Sequence, residues 1–198
     1  MNTSSLTHPT QKMADLRYTG GEKIERSALG LPACEPAPTG LIKRTTPTGR
    51  PLVKKTAITA PDVLNEASEY GSAFTRGLRV ELPGGITQLL ISGTASVGHH
   101  GETLYPGDFR AQLWRTYHNL TRLLESEGAT WHDMVRTTCY LRDIERDYSD
   151  FNTVRNEFYH ALGLDPFPAS TAIQARICRS DLLVEIEAIA ILVHKEVG

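Results

Sequence analysis

The stretch LLVEIEAIAILV, Leu182 to Val193, constrains the fold more than any other part of the chain. Successive side chains of a strand point to opposite faces, so Glu185 and Glu187 share one face with Ile189. A strand that is apolar on both faces belongs inside a sheet. An ionised carboxylate buried there without a partner costs on the order of several kcal/mol, so each glutamate needs a donor, a cation or a ligand.

These two glutamates are therefore the first candidates for a functional role. Glu185 is the better candidate because it stands closer in sequence to Cys178 and Arg179. The alternative is that one or both glutamates only pair with an arginine across a subunit contact.

Composition indicates an ordinary globular protein. The 198 residues, 40% of them hydrophobic, suit one domain with an extension. A net charge of -2 gives no general attraction to nucleic acid or to an anionic membrane. No apolar run is long enough to span a membrane, and the polar start lacks a signal-peptide core. We therefore expect a cytoplasmic protein without a membrane partner.

The cysteines and histidines do not suggest a metal centre. Cys34, Cys139 and Cys178 are odd in number and widely spaced, which argues against a disulfide framework and against a zinc site. His99 and His100 are adjacent in a glycine-flanked turn, where solvated loop residues are commoner than ligands. We expect no metal.

The N-terminal third differs from the rest of the chain. Seven of the eleven prolines lie in residues 1–69, where apolar periodicity is weak, so we interpret 1–69 as an extension and 70–198 as the domain. The extension contains the basic residues Lys43, Arg44, Arg50, Lys54 and Lys55. Such a stretch is usually solvated or docks on an acidic neighbour, so we do not expect nucleic-acid binding.

From Ala73 onward the pattern predicts alternating strands and helices. AFTRGLRVEL and ITQLLISG flank a Pro-Gly-Gly turn and predict a strand pair. Asp108 predicts the start of a helix that ends before Gly128, and Ser149 predicts the start of a second that ends at Gly163. Further strands are expected at MVRTTCYL, near Ser170 to Ile177, and at Leu182 to Val193.

This order predicts an α+β fold in which two helices cover one face of a mixed sheet. The other face has no helix to cover it. Because apolar surface would then be exposed, we expect self-association.

The stretch from Ile91 to Ala190 resembles the RidA/YjgF family of reactive-intermediate deaminases. The matching pieces are ISG at Ile91, the helix ending in GA at Gly128, DMVRTTCYLRD at Asp133, FPAST at Phe167 and VEIEAIA at Val184. The order and spacing of these pieces cover about half of the chain, and VEIEAIA and FPA are the most telling.

The resemblance implies a chorismate-mutase-like fold and a homotrimer with a central barrel formed by the helix-free sheet faces. It also implies three small clefts at subunit interfaces, each built from two chains and binding a small organic acid. Deaminating members hydrolyse enamine and imine products of amino-acid dehydratases to 2-keto acids. The resemblance implies no metal and no organic cofactor.

Several positions depart from the family pattern. Deaminating members have an arginine after FPA to bind the substrate carboxylate, whereas this chain has Ser170. They have a tyrosine where the alignment places Phe74, and an asparagine that falls near Arg155 or Asn156. Glu185 and the Ser92 region remain. A serine cannot replace a bidentate, permanently charged arginine, so weak turnover of 2-iminopropionate-like substrates is expected unless another arginine serves.

A second, weaker resemblance is to the C-terminal half of chorismatases, which hydrolyse the enol ether of chorismate and pair a cysteine with a glutamate in this region. Here Cys178 precedes Glu185 by seven residues. Those enzymes have a fuller N-terminal domain than residues 1–69 provide.

The resemblance therefore implies a RidA-like enzyme that adds water to an imine, enamine or enol-type bond, with Glu185 as the acid or proton-relay group. Ser92, Phe74, Ser170, Arg155 and Cys178 are the predicted substrate-binding residues. The alternatives are a non-catalytic trimer that binds a metabolite or protein, a chorismatase-like hydrolase, and RNA binding or cleavage.

Overall fold

The computed structural model describes residues 20–28 and 53–194. The chain divides into two units, 1–52 and 53–198. Helix α1 (Gly20–Ala28), in the first unit, has Glu22 in its first turn and Arg26 in its last, as the helix dipole favours. Cys34 and the basic residues Lys43, Arg44 and Arg50 lie outside the described residues.

A six-stranded mixed sheet forms the second unit. Its strands are β1 (Lys54–Ile58), β2 (Gly77–Leu82), β3 (Ile86–Ala95), β4 (Met134–Leu141), β5 (Ala169–Gln174) and β6 (Val184–Val193). Their spatial order is β1-β2-β3-β6-β4-β5. Only β4 and β5 pair in parallel, and the other neighbours are antiparallel. The predicted interior place of β6 is confirmed, because it lies between β3 and β4.

Strand β1 was not predicted. The sequence boundary between extension and domain falls at residue 69, yet Lys54 to Ile58 pair with β2 in regular antiparallel register. The sheet therefore begins within the proline-rich part of the chain. Four of these five residues are exposed, so the strand carries little of the apolar signal by which strands are recognised. A 3-10 helix, Ala67–Tyr70, links β1 to β2.

Helix α2 (Phe109–Glu125) begins where it was predicted. The Asp108 side chain accepts a hydrogen bond from the backbone N–H of Ala111 at 3.0 Å, which satisfies one free donor of the first turn. One face of the helix is buried through Phe109, Leu113, Tyr117, Leu120 and Leu124. A second 3-10 helix, Trp131–Asp133, precedes β4.

Helix α3 (Ile144–Ala161) begins earlier than the sequence suggested. The expected start at Ser149 is wrong, because Asp143 is the N-cap and its side chain accepts from the Arg146 N–H at 3.0 Å. Ser149 lies within the helix, and its carbonyl accepts from the Thr153 hydroxyl. The first turn carries Glu145, Arg146 and Asp147 with Ile144 as its one apolar residue, so a search for apolar periodicity missed it.

Burial alternates along β6 as the pattern required. Val184, Ile186 and Ala188 are buried in the core with the helices, whereas Glu187 is exposed on the opposite face. That opposite face includes several accessible apolar side chains, among them Leu90, Val135, Ile191 and Val193. Helices α2 and α3 pack on the core side of the sheet, so neither of them covers this face.

Candidate active site

A cleft of about 190 Å³ contains Glu185 and is here called the Glu185 cleft. Its wall comes from the first 3-10 helix, the segment between that helix and β2, β3 and the residue region just after it, the loop before β6, and β6 itself. The lining residues are Tyr70, Ser72, Phe74, Arg76, Gly93, Ala95, Val97, Cys178, Arg179, Leu182 and Glu185.

A backbone irregularity positions Glu185. The register between β3 and β6 shifts between Ile91 and Thr94, which leaves Gly93 directly beside the glutamate. A Cβ atom on Gly93 would lie 2.1 Å from Glu185 Oε1. The glycine of the ISG sequence is therefore needed for space, because only a residue without a side chain leaves room for this carboxyl group.

The environment of Glu185 favours its protonated form. Burial, and then the charge of Glu187 on the same strand face, raise the pKa of the Glu185 carboxyl above its ordinary value. Within residues 20–28 and 53–194, no lysine, arginine or histidine forms a salt bridge with it. A half-buried carboxyl group of raised pKa, open to a cleft, is suited to donate a proton near neutral pH.

Two other predicted residues share the cleft. Phe74, whose ring is 44% exposed, and Cys178 both line it, so the structure brings them together with Glu185. Ser92 is adjacent to Gly93, but its hydroxyl donates to the carbonyl oxygen of Thr75 at 2.8 Å. Ser92 thus connects β3 to the segment that carries Phe74.

The remaining two predicted residues lie together in a second cleft of about 300 Å³, here called the Ser170 cleft. Ser170 Oγ accepts from Thr137 Oγ1 at 3.0 Å and lies 3.9 Å from the sulfur of Cys139. Arg155 lines the same cleft. Its guanidinium carbon lies 4.8 Å from the ring centroid of Phe151.

Ser170, which stands where deaminating family members have an arginine, therefore shares its cleft with another arginine, Arg155. Burial raises the pKa of the Cys139 thiol, and the positive charge of Arg155 opposes this shift. The side chains that complete this cleft are Tyr148, Asn156, Tyr159, Phe167, Pro168 and Ala172.

Arg76 was not among the predicted site residues. It lies two positions after Phe74, and the two side chains line the same cleft. The one available signal was an arginine next to Gly77 at the start of β2, which alone suggests only a surface charge. Arg179 was named only as a sequence neighbour of Glu185, and the structure puts it in the Glu185 cleft.

Within the described ranges, no group of three or more histidine, cysteine, aspartate or glutamate side chains is arranged to hold a metal ion. None of the helices described is both long enough and apolar enough to cross a membrane.

Comparison with known families agrees with this architecture. The model of the family described as Endoribonuclease L-PSP matches residues 85–192, more than half of the chain. The chain belongs to this family, the RidA/YjgF family. The matched range runs from the start of β3 to the end of β6 and so includes Glu185 and Ser170.

Three relatives illustrate the similarity. A RutC family protein from Pyrococcus abyssi is 29% identical over 102 residues, which are 52% of this chain and 76% of that protein. A human 2-iminobutanoate/2-iminopropanoate deaminase is 32% identical over 103 residues, 52% of this chain and 72% of that protein. The crystal structure of the E. coli YjgF gene product has a TM-score of 0.56 at 25% identity, covering 68% of this chain and 97% of that one. The predicted α+β fold of the RidA/YjgF type is confirmed.

Proposed function

We propose that the protein is a homotrimeric RidA-like hydrolase that adds water to the C=N bond, or the enamine tautomer, of a small organic acid. The observation that carries the proposal is Glu185, a carboxyl group of raised pKa without a salt-bridge partner among the described residues, which lines a small cleft. The similarity to a human imine deaminase supports the same class of reaction.

In the proposed reaction, Glu185 first donates a proton to the substrate and then accepts one from water. Protonated Glu185 donates to the imine nitrogen, or to the β-carbon of an enamine, and forms an iminium ion. Water adds to the electrophilic carbon, and the carboxylate accepts a proton from it. Glu185 then transfers its proton to the amine, the C–N bond breaks as the hydroxyl proton passes to the carboxylate, and ammonia leaves with formation of the 2-keto acid. Burial of the acid tunes its pKa toward the working pH.

The trimer forms through the face that lacks helices, and each site is shared by two chains. In this arrangement the Glu185 cleft of one chain meets the Ser170 cleft of its neighbour. Ser170 and Arg155 would then contact substrate from across the interface, while Phe74 and Cys178 contact it from the chain that carries Glu185. Neither metal nor organic cofactor takes part in this scheme.

A second candidate is favoured by one specific observation. Cys178 and Glu185 line the same cleft, which is the pair that the resemblance to chorismatases highlights. The corresponding reaction is hydrolysis of the enol ether of chorismate, with Glu185 again as proton donor. Incubation of the full chain with chorismate and detection of pyruvate would support it, and absence of pyruvate release would exclude it.

The described residues give little support to RNA binding or cleavage. Of the basic stretch only Lys54 and Lys55 are described, and Lys54 pairs with Glu81 at 3.0 Å. Non-catalytic binding of a metabolite remains the alternative to hydrolysis. The Glu185→Gln variant separates these two functions.

The test is Glu185→Gln, which keeps the shape of the side chain and removes its proton. Turnover of 2-iminobutanoate, generated in the assay by an amino-acid dehydratase, should fall by roughly two to four orders of magnitude. Folding should be preserved, because no salt bridge within the described residues is broken. A large loss of melting temperature with normal specific activity would refute the catalytic role.

The raised pKa of Glu185 also predicts a pH dependence of stability, which the same Glu185→Gln preparation tests. Because the folded-state pKa of Glu185 is raised, the folded chain binds more protons than the unfolded chain between the ordinary and the raised value. The stability that Glu185 contributes is therefore present below this window and declines as pH rises through it. Relative to wild type, Glu185→Gln should gain melting temperature as pH increases across the window.

A further inference from the structure

We propose that the Glu185 cleft is an anion-binding site formed within one chain, in which Arg76 and Arg179 bind the carboxylate of a small unsaturated organic acid. The inference rests on the function proposed above, because it assigns the part of the substrate that this same cleft holds. It places the carboxylate-binding groups on the chain that carries the acid, rather than in the Ser170 cleft.

Arg76 is a buried cation without a counter-charge. Its exposed fraction is 7%, and no carboxylate in the described part of the chain forms a salt bridge with it. Nε and Nη2 donate to the carbonyl oxygen of Asn65 at 2.8 and 2.6 Å, and Nη2 also donates to Asn65 Oδ1 at 3.1 Å. Nη1 has no hydrogen bond to any described residue. A buried guanidinium that is held by neutral acceptors retains its full charge, which an anionic ligand would offset.

Two aromatic rings orient this guanidinium. The Cζ atom of Arg76 lies 5.6 Å from the ring centroid of Tyr70 and 5.6 Å from that of Phe74. Cation–π contacts hold the group in place without neutralising it. Both rings also line the cleft, so they provide an apolar wall for the carbon skeleton of a ligand next to its charged end.

Arg179 adds a second cation from the loop between β5 and β6. Its Nη1 donates to the carbonyl oxygen of Gly101, and its own backbone carbonyl accepts from Arg142. No described carboxylate forms a salt bridge with it. The guanidinium of Arg179 therefore contacts a neutral backbone acceptor, and no described carboxylate offsets its charge. A planar guanidinium matches a carboxylate in a bidentate geometry.

Arg76 and Arg179 line the same cleft as Glu185, but neither forms a salt bridge with its carboxyl group. The two cations therefore do not serve as counter-ions of the glutamate. A ligand whose carboxylate contacts the arginines can then present its unsaturated carbon to the acid. The volume of about 190 Å³ fits an acid of a few carbon atoms, since drug-sized ligands occupy roughly 300–1,000 Å³.

The test measures binding by calorimetry in the Glu185→Gln background, so that turnover plays no part. The probe is 2-oxobutanoate, and 2-oxobutanamide is its uncharged counterpart of nearly the same shape. We expect the keto acid to bind at least about tenfold more tightly than the amide. Arg179→Gln should weaken keto-acid binding at least about tenfold and leave amide binding unchanged, and Arg76→Gln should act in the same direction.

Matched controls separate this site from other arginines. Arg110→Gln removes a surface arginine that pairs with Asp150 at 2.9 Å, outside both clefts, and should not change binding. Because Arg76 is buried and its variant could fail to fold, Arg179→Gln is the deciding variant, and Arg179→Lys should recover part of the affinity through its charge.

Three results would overturn the proposal: equal affinity for acid and amide, unchanged affinity in Arg179→Gln, or loss of keto-acid binding in Arg155→Gln alone. The last result would assign the carboxylate to the Ser170 cleft instead. If the wild-type chain binds the keto acid through Arg179 but hydrolyses no imine, the anion site stands and the proposed hydrolase function fails.

Discussion

At the scale of single residues, the contact between Gly93 and Glu185 decides where the acid group lies. The glutamate Oε1 occupies the space that a Cβ on Gly93 would take. The φ angle of Gly93 is not in the left-handed region, so the glycine is required for space rather than for backbone conformation. The carboxyl group is the flexible partner, and it would move if a side chain were added.

We therefore expect Gly93→Ala to fold but to displace Glu185 and to lower imine turnover by about a hundredfold, as misplacement of a reacting group by about 1 Å can do. The matched control is Gly98→Ala, where a Cβ would lie 2.2 Å from Glu102 Oε1, outside the cleft. Steady-state kinetics and melting curves of both variants check the prediction. Equal activity loss in the two variants would show a general effect of crowding.

At the scale of elements, the ends of the helices position the second cleft. Helix α3 carries Arg155, and its start is set by the hydrogen bond from the Arg146 N–H to Asp143. Capping satisfies one of the free N–H groups in the first helical turn, which otherwise lack intrahelical partners. The orientation of Arg155 depends on this helix being complete, since the residue lies in its fourth turn.

Asp143→Ala should lower the free energy of unfolding by about 1 kcal/mol, within the usual range for a lost N-cap. Ser149→Ala should change it by only a few tenths of a kcal/mol, because Ser149 lies inside the helix, where alanine has the better helix propensity. Urea denaturation of both variants measures the two effects. A larger loss for Ser149→Ala would contradict the observed helix start.

At the scale of the whole molecule, the sheet has one covered face and one bare face. Residues on the covered face form a continuous core with α2 and α3. The bare face carries apolar side chains beside Arg136 and Glu187, which line a groove of about 210 Å³ with Leu90 and Ile189. Exposed apolar surface of this kind is typical of an association surface.

We expect light scattering to give a mass three times that of the 21.9 kDa chain. Ile191→Asp should reduce the mass to that of the monomer, because a charge would be buried at the centre of the interface. Leu162→Asp is the control: the two side chains are 39% and 38% exposed, but Leu162 follows α3. A monomeric wild-type protein would contradict the proposed assembly.

Local patterns along the chain were sufficient for most of the fold. The alternation in β6 predicted which side chains share a face, and Asp108 predicted the start of α2, because both signals depend on residues a few positions apart. The prediction failed at β1 and at the start of α3. In both places the residues are mostly polar, and their structure depends on pairing with β2 or on a single capping side chain.

The candidate site was predictable only in part, for a related reason. Glu185 could be recognised because its own strand makes a carboxyl group exceptional, and Phe74, Ser92, Ser170, Arg155 and Cys178 came from resemblance to a family. The separation of these residues into two clefts, one with Glu185 and one with Ser170, required the fold.

The meeting of Arg76 and Arg179 in the Glu185 cleft could not be predicted from the sequence. The two arginines are about a hundred residues apart, and each one alone suggests a solvated surface charge. The pairing of β3 with β6 and the course of the loop before β6 bring them to one cleft, where no described carboxylate offsets either charge. Interactions between residues close in sequence determine the strands, the helix caps and the position of Glu185 within its strand. Proximity between distant side chains arises only when the sheet assembles, because no local signal encodes it.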